Sequence, residues 1–92
     1  MEYVIAKIEP KRKYPRNKYH PAMLNRGCDI VHLEPGREGW IVVDMPYDPG
    51  NPHNFWTTPV KNIESLSDGT VVFETENTVY TLVKKENWNE SY

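Results

Sequence analysis

One cysteine, Cys28, stands alone in 92 residues, so the chain holds no internal disulfide, and a lone thiol fits a reducing compartment. No apolar run approaches the roughly 20 residues needed to span a bilayer. The N-terminal Met-Glu-Tyr-Val-Ile-Ala-Lys lacks the basic start and long apolar core of a signal peptide. These absences lead to the expectation of a cytoplasmic protein with no membrane partner. Convincing 3.6-residue apolar periodicity is also missing, except in the last turn of the chain, which argues against a helical fold. Ninety-two residues make one domain, 1–92. A chain this short buries roughly two-thirds or less of its unfolded surface. Its core can support a binding surface more readily than a deep, water-excluding enzyme cleft.

What is present instead is alternation. Residues 2–8, 29–33, 40–44, 60–66, 70–75 and 78–84 read as six short strands, separated by turn residues. In the first strand Tyr3 and Ile5 share one face, and Val4, Ala6 and Ile8 the other. Glu34-Pro-Gly-Arg-Glu-Gly39 and Ser67-Asp-Gly69 supply turns, and Glu76-Asn77 a two-residue connection in which Asn tolerates the left-handed region. Val79, Thr81 and Val83 oppose Tyr80 and Leu82, so residues 60–84 form a C-terminal meander with apolar groups on both faces. The expected fold is all-β: a small SH3-like or OB-like barrel, closed because closure removes exposed sheet edges. An open two-layer sandwich is the alternative.

Within this meander Thr58-Pro-Val60, Asp68-Gly69 and Thr75-Glu-Asn-Thr-Val-Tyr80 form a pattern. It resembles the C-terminal part of small proteins encoded by prophages and other mobile elements of Gram-positive bacteria. Those proteins commonly read Thr-Ser-Pro-Val, a Gly-containing turn, then Thr-x-Asn-Ser-x-Tyr. Here Thr58 and Thr78 stand where Ser is usual, which keeps the hydroxyl. The resemblance covers residues 57–82 and not the segments before them. It implies a small β domain of mobile-element origin, with hydroxyls bonding nearby backbone and a core Tyr80; it implies no activity.

Charge is divided unevenly. Lys11, Arg12, Lys13, Arg16, Lys18 and Arg26 lie in a stretch without an acid; subtracting their +6 from the net −2 leaves −8 for the other residues. Such asymmetry points to an anionic partner or to two parts of the chain that attract each other. Six of the eight prolines sit in two long connections, a basic loop at 10–28 and a Pro-rich loop at 45–58. Long, proline-stiffened loops in a small domain are where function is expected.

Two functional readings follow. In the first, Lys11, Arg12, Lys13, Arg16 and Lys18 neutralise phosphates while Tyr14 and Tyr19 stack on bases; the partner is a nucleic acid, or an acidic protein surface met by the same loop. In the second, the two loops bind a protein, with Tyr47, Phe55 and Trp56 as aromatic anchors, and the chain inhibits or adapts a host factor. Phe55 and Trp56 have a structural alternative, anchoring the Pro-rich loop to the core.

Catalysis, metal binding and cofactors are not expected. Asp29 beside Cys28 would raise a thiol pKa, leaving the nucleophile unactivated. His20, Cys28, His32 and His53 show no paired ligand spacing. Cys28 and His32 would lie about 13 Å apart on one extended strand at 3.3 Å per residue. Asp44, Asp48 and His53 could be drawn as a hydrolytic cluster, but the prolines among them suit a shaped turn.

Overall fold

The computed structural model describes residues 1–11 and 17–88. Among them six strands form one closed antiparallel barrel: β1 (Tyr3–Pro10), β2 (Gly27–His32), β3 (Glu38–Val43), β4 (His53–Ser65), β5 (Val71–Thr75) and β6 (Thr78–Lys84). Each strand pairs with its neighbours in sequence, and β6 returns to β1, the order of an up-and-down barrel. Among the described residues, helical structure is confined to a four-residue helix, α1 (His20–Met23), and a 3₁₀ turn at Lys85–Asn87.

The interior is filled by alternate side chains. Ile5, Cys28, Ile41, Val43, Val60, Phe73 and Leu82 are buried, and Phe73 stacks on Tyr80 with ring centroids 4.9 Å apart. Met23 carries α1 into the same core, and Phe55 packs against it from β4. The four-residue α1 cannot be stable by itself; burial of Met23 holds it. Pro21 suits its first turn, where no amide partner is needed.

Four departures from strict alternation matter. Register shifts lie between Ile5 and Lys7, Ile30 and His32, Glu38 and Trp40, and Val60 and Asn62. An extra residue at each inverts which face the following residues occupy. Ile8 therefore packs against the core that Ile5 enters, rather than sharing the face of Val4 as simple alternation predicts. Apart from β4, the strand bounds shift by at most two residues, and that of 78–84 not at all. The larger correction concerns β4, which begins at His53 and runs for 13 residues, so 53–58 are strand and not part of the Pro-rich loop. Inside the basic loop, α1 replaces the continuous loop expected at 10–28.

The turns are local in origin. Gly69 has φ +88°, and a Cβ there would meet Lys84 Cγ at 2.9 Å; the Thr70 amide donates to Asp68 Oδ1 at 2.9 Å. The 76–77 connection does not use a left-handed Asn: among the described residues the non-glycine with positive φ is Asn25, at 66°. Thr75 supplies the turn instead, its hydroxyl accepting from the Thr78 amide and donating to the Thr78 carbonyl, both at 3.2 Å.

The barrel is unevenly sealed. β1 and β6 pair from Tyr3↔Lys84 to Pro10↔Thr78, whereas β1 and β2 pair only at Tyr3↔Cys28 and Val4↔Gly27. Bonds from Ile5 N to Arg26 O (3.0 Å) and Asn25 N to Ile5 O (2.8 Å) extend that seam in one direction.

Gly39 is buried where β3 crosses β4, its amide donating to Thr57 Oγ1 at 3.0 Å. A Cβ there would lie 2.9 Å from that oxygen and 3.3 Å from both Leu33 and Val60. Gly39→Ala is expected to lower stability by about 1–3 kcal/mol, read from urea midpoints, with part restored by adding Thr57→Ala. An unchanged midpoint would show that the crossing has slack.

His20 reaches the core end, with Nε2 2.9 Å from Tyr80 Oη and its ring tilted against Phe55. Burial lowers its pKa from 6.5. The unfolded chain then binds more protons below about pH 6.5, so this contribution is complete above that pH and is lost as pH falls through the depressed folded value. His20→Gln should flatten that slope in urea titrations run from pH 7.5 to 5. A wild-type-minus-variant difference that does not change with pH would refute the assignment.

Candidate functional site

On β3, Ile41 and Val43 point inward, which turns Trp40 and Val42 out. On β4, Phe55 and Thr57 point inward, which turns Asn54 and Trp56 out. Register then sets Trp40 directly opposite Trp56. Their rings stack at 5.6 Å between centroids with 22° between planes. Trp40 Nε1 donates to Asn54 Oδ1 at 2.8 Å, which fixes the first indole, while Trp56 remains 53% exposed. The register shift after Ile30 leaves Val31 on the exterior as well, 45% exposed. Val31, Trp40 and Trp56 form an apolar row across three strands, flanked in a shallow groove by His32, Arg37 and Glu38.

Cross-strand aromatic pairs contribute about 0.5–1.5 kcal/mol beyond area burial, so part of this pair is structural. An indole left half exposed still offers roughly 100 Å² of apolar surface, on the order of 2–3 kcal/mol if covered. The row sits on a rigid sheet, so covering it costs little ordering. The surrounding charges are exposed: His32 Nε2 is 3.0 Å from Glu34 Oε2, and Arg37 Nε is 4.0 Å from the same oxygen. Surface pairs of this kind hold their partners weakly.

The second concavity, about 410 Å³, lies between α1 and the 44–52 loop and is lined chiefly by Tyr19, Met23, Met45, Tyr47, His53 and Phe55. Tyr47 is exposed and sits edge-on to His53, with centroids 5.5 Å apart. His53 Nε2 meets Asp48 Oδ2 at 2.8 Å, while Asn51 Nδ2 donates to Asp48 Oδ1 at 2.9 Å; these bonds hold the Asp48 carboxyl below its usual range. Asp44 is engaged elsewhere, accepting from Arg26 Nη2 at 3.3 Å. The drawn hydrolytic trio is thus divided, and the loop is a turn shaped by Asp48.

Of the basic residues, Arg12, Lys13 and Arg16 lie outside the described residues, as does Tyr14. Lys11 is ion-paired with Glu74 and donates to the Thr75 carbonyl at 2.8 Å. Arg26 Nε donates to the Asp44 carbonyl at 2.8 Å. Lys18 Nζ lies 5.2 Å over the ring of Tyr19, which is itself exposed. Lys11 and Arg26 therefore meet acids of the same chain, and Lys11 would have to leave Glu74 to bind a phosphate.

Cys28 is fully buried, and burial together with Asp29 pushes its thiol up to about 12. Among the described residues no three of His, Cys, Asp and Glu converge as metal ligands would, and no helix is long and apolar enough to cross a membrane. Comparison with protein-family models, curated proteins and solved structures finds no match to the chain.

Two members of the apolar row, Trp40 and Val31, escape a reading of the sequence. The inward pair Ile41 and Val43 already marks Trp40 as outward, but its partner is hidden while 53–58 reads as loop. Phe55, a candidate anchor, packs against the core and also lines the cleft; Trp56 faces solvent.

Stacked indoles couple excitonically. Trp40→Phe and Trp56→Phe should each abolish the same far-ultraviolet circular dichroism couplet while leaving the barrel folded. A couplet that survives either change would show the rings are not stacked in solution.

Proposed function

We propose that the protein is a non-enzymatic binding module that docks another protein on the Val31–Trp40–Trp56 row. The observation carrying this reading is Trp56: a stacked but half-exposed indole on a sheet face, the kind of aromatic enriched at interface hot spots. Small SH3-like barrels use exterior aromatic grooves for peptides in a comparable way. An origin in a mobile element, implied by residues 57–82, and action in the cytoplasm on a host factor fit such a role.

A second reading keeps the basic loop as the site for an anionic partner. Its support is the exposed Tyr19 ring beneath Lys18, at the end of a segment rich in cations. Each phosphate contacted would contribute roughly −0.7 to the log–log salt slope on a single strand.

The two are separated by panning a random peptide library on wild type and on Trp56→Ser, alongside titrations of labelled single- and double-stranded oligonucleotides at low and physiological salt. Peptides enriched on wild type and at least tenfold weaker on Trp56→Ser are expected. Oligonucleotide binding with a steep salt slope, indifferent to Trp56, would move the function to the basic loop. Peptides that bind both proteins equally would remove the aromatic row from the site.

A further inference from the structure

The apolar row ends at an incomplete strand. β2 is paired along its length with β3, from Cys28↔Val43 to His32↔Trp40, but on its other flank β1 reaches only Gly27 and Cys28. Gly27 O accepts from Asp44 N, toward the β3 side, at 2.9 Å. Alternation then aims the peptide groups of Cys28 and Ile30 toward the β1 flank. Cys28 has Tyr3 opposite; among the described residues no strand residue lies opposite Ile30. Met1 does not fill the place, since its side chain packs over Gly27, within 3.1 Å of where a Cβ would stand. Glu2 is tied by its amide to Asp29 Oδ1 at 2.7 Å and by its carbonyl to the Lys85 amide at 2.9 Å.

A strand laid along Ile30–Leu33 would find backbone groups to pair with, and its outward side chains would fall beside Val31 at the end of the row. Charge selects among occupants. Among the described residues, Asp29 on β2, Glu34 just past its end and Glu38 beside Val31 in the groove outnumber the nearby cations, Arg37 and the Met1 ammonium. A second copy of the chain would bring two such acidic flanks together.

We propose that a Lys- or Arg-bearing extended segment of a partner protein adds to β2 as a further strand, pairing at Ile30 and covering Val31 and the Trp40 ring with apolar side chains. Backbone pairing supplies affinity, the apolar row supplies register, and the carboxylates select a basic sequence. This rests on the row being the docking face.

The test uses the full chain and a fluorescein-labelled peptide, Lys-Val-Arg-Phe-Lys-Val-Lys. Its controls are the same peptide N-methylated at alternate residues, and an acidic version with Glu at each basic position. In the free protein the Ile30 amide should exchange faster than those of Ile41 and Phe73. Adding the basic peptide should slow Ile30 exchange. Blocking these backbone donors should weaken binding about tenfold or more. Val31→Lys, at an exposed position whose fold is verified by the same amide spectrum, should weaken it at least as much, and the acidic peptide should not bind. Three results would overturn the proposal. Binding that needs Trp56 but ignores N-methylation and leaves Ile30 exchange unchanged would keep the docking face and remove strand addition. Binding indifferent to both Trp56 and Val31, or none at all, would remove strand addition and leave no support for the face. Ile30 protection that rises with protein concentration, together with dimers in sedimentation, would make a second copy the occupant.

Discussion

The contact on which the rest of the molecule depends is the pairing of the first strand with the last. β1 lies against β6 from Tyr3↔Lys84 to Pro10↔Thr78, joining residues more than sixty positions apart. Until it forms, the sheet has two open edges and no enclosed core. A barrel of six strands is narrow, so its strands must coil strongly to close. The four register shifts in β1 to β4 provide that coiling, because each bulge bends its strand and increases the local twist. Closure also has a geometric consequence. The bulge after Ile30 puts Val31 and His32 outside in succession, beside Trp40, while Leu33 returns to the core. The candidate surface is thus a by-product of closing the sheet.

That dependence explains what could be read from the chain beforehand. Each of the six strands has an alternating run that identifies it, and their number with so little helix is enough to indicate a small barrel. Alternation counts residues, however, and cannot see an extra one, so it puts Ile8 on the face of Val4 although the bulge turns it to the core. The first half of β4 was hidden for a different reason. His53 to Thr58 follows three prolines, and one of its inward residues is Thr57, polar and buried because its hydroxyl serves the Gly39 amide and the Thr58 carbonyl. Without that half-strand, Trp56 has no register and Trp40 no partner. The surface is legible in the sequence only as single aromatics, of which Trp56 faces solvent and Phe55 the core.

The charge division is partly resolved inside the molecule. Lys11 meets Glu74, Arg26 meets Asp44, and Lys84 meets Glu2, so two of the six cations of the basic segment face the acidic remainder of the chain. Each exposed pair contributes little to stability. Their effect is positional: Lys11 and Arg26 hold the two ends of the 11–26 connection against the barrel, and α1 is held between them by Met23. Lys11 and Arg26 are thus engaged within the chain, and a phosphate would have to compete with Glu74 and Asp44 for them.

The same local physics makes the β2 flank both useful and hazardous. An unpaired strand beside exposed apolar side chains is a template for edge-to-edge association. Asp29, Glu34 and Glu38 oppose self-pairing, because a second copy must bring the same acids into contact. A charge that repels one class of strand attracts another, so on the proposed reading the acids that oppose self-pairing would also discriminate among partners. Trp40 is fixed by Asn54 and Trp56 stacks upon it, so the platform needs no rearrangement when a strand arrives. If a strand adds as proposed, affinity would depend on backbone pairing at Ile30 and on how well one apolar side chain covers Val31, and the incomplete seam of the barrel, rather than its long loops, would set specificity.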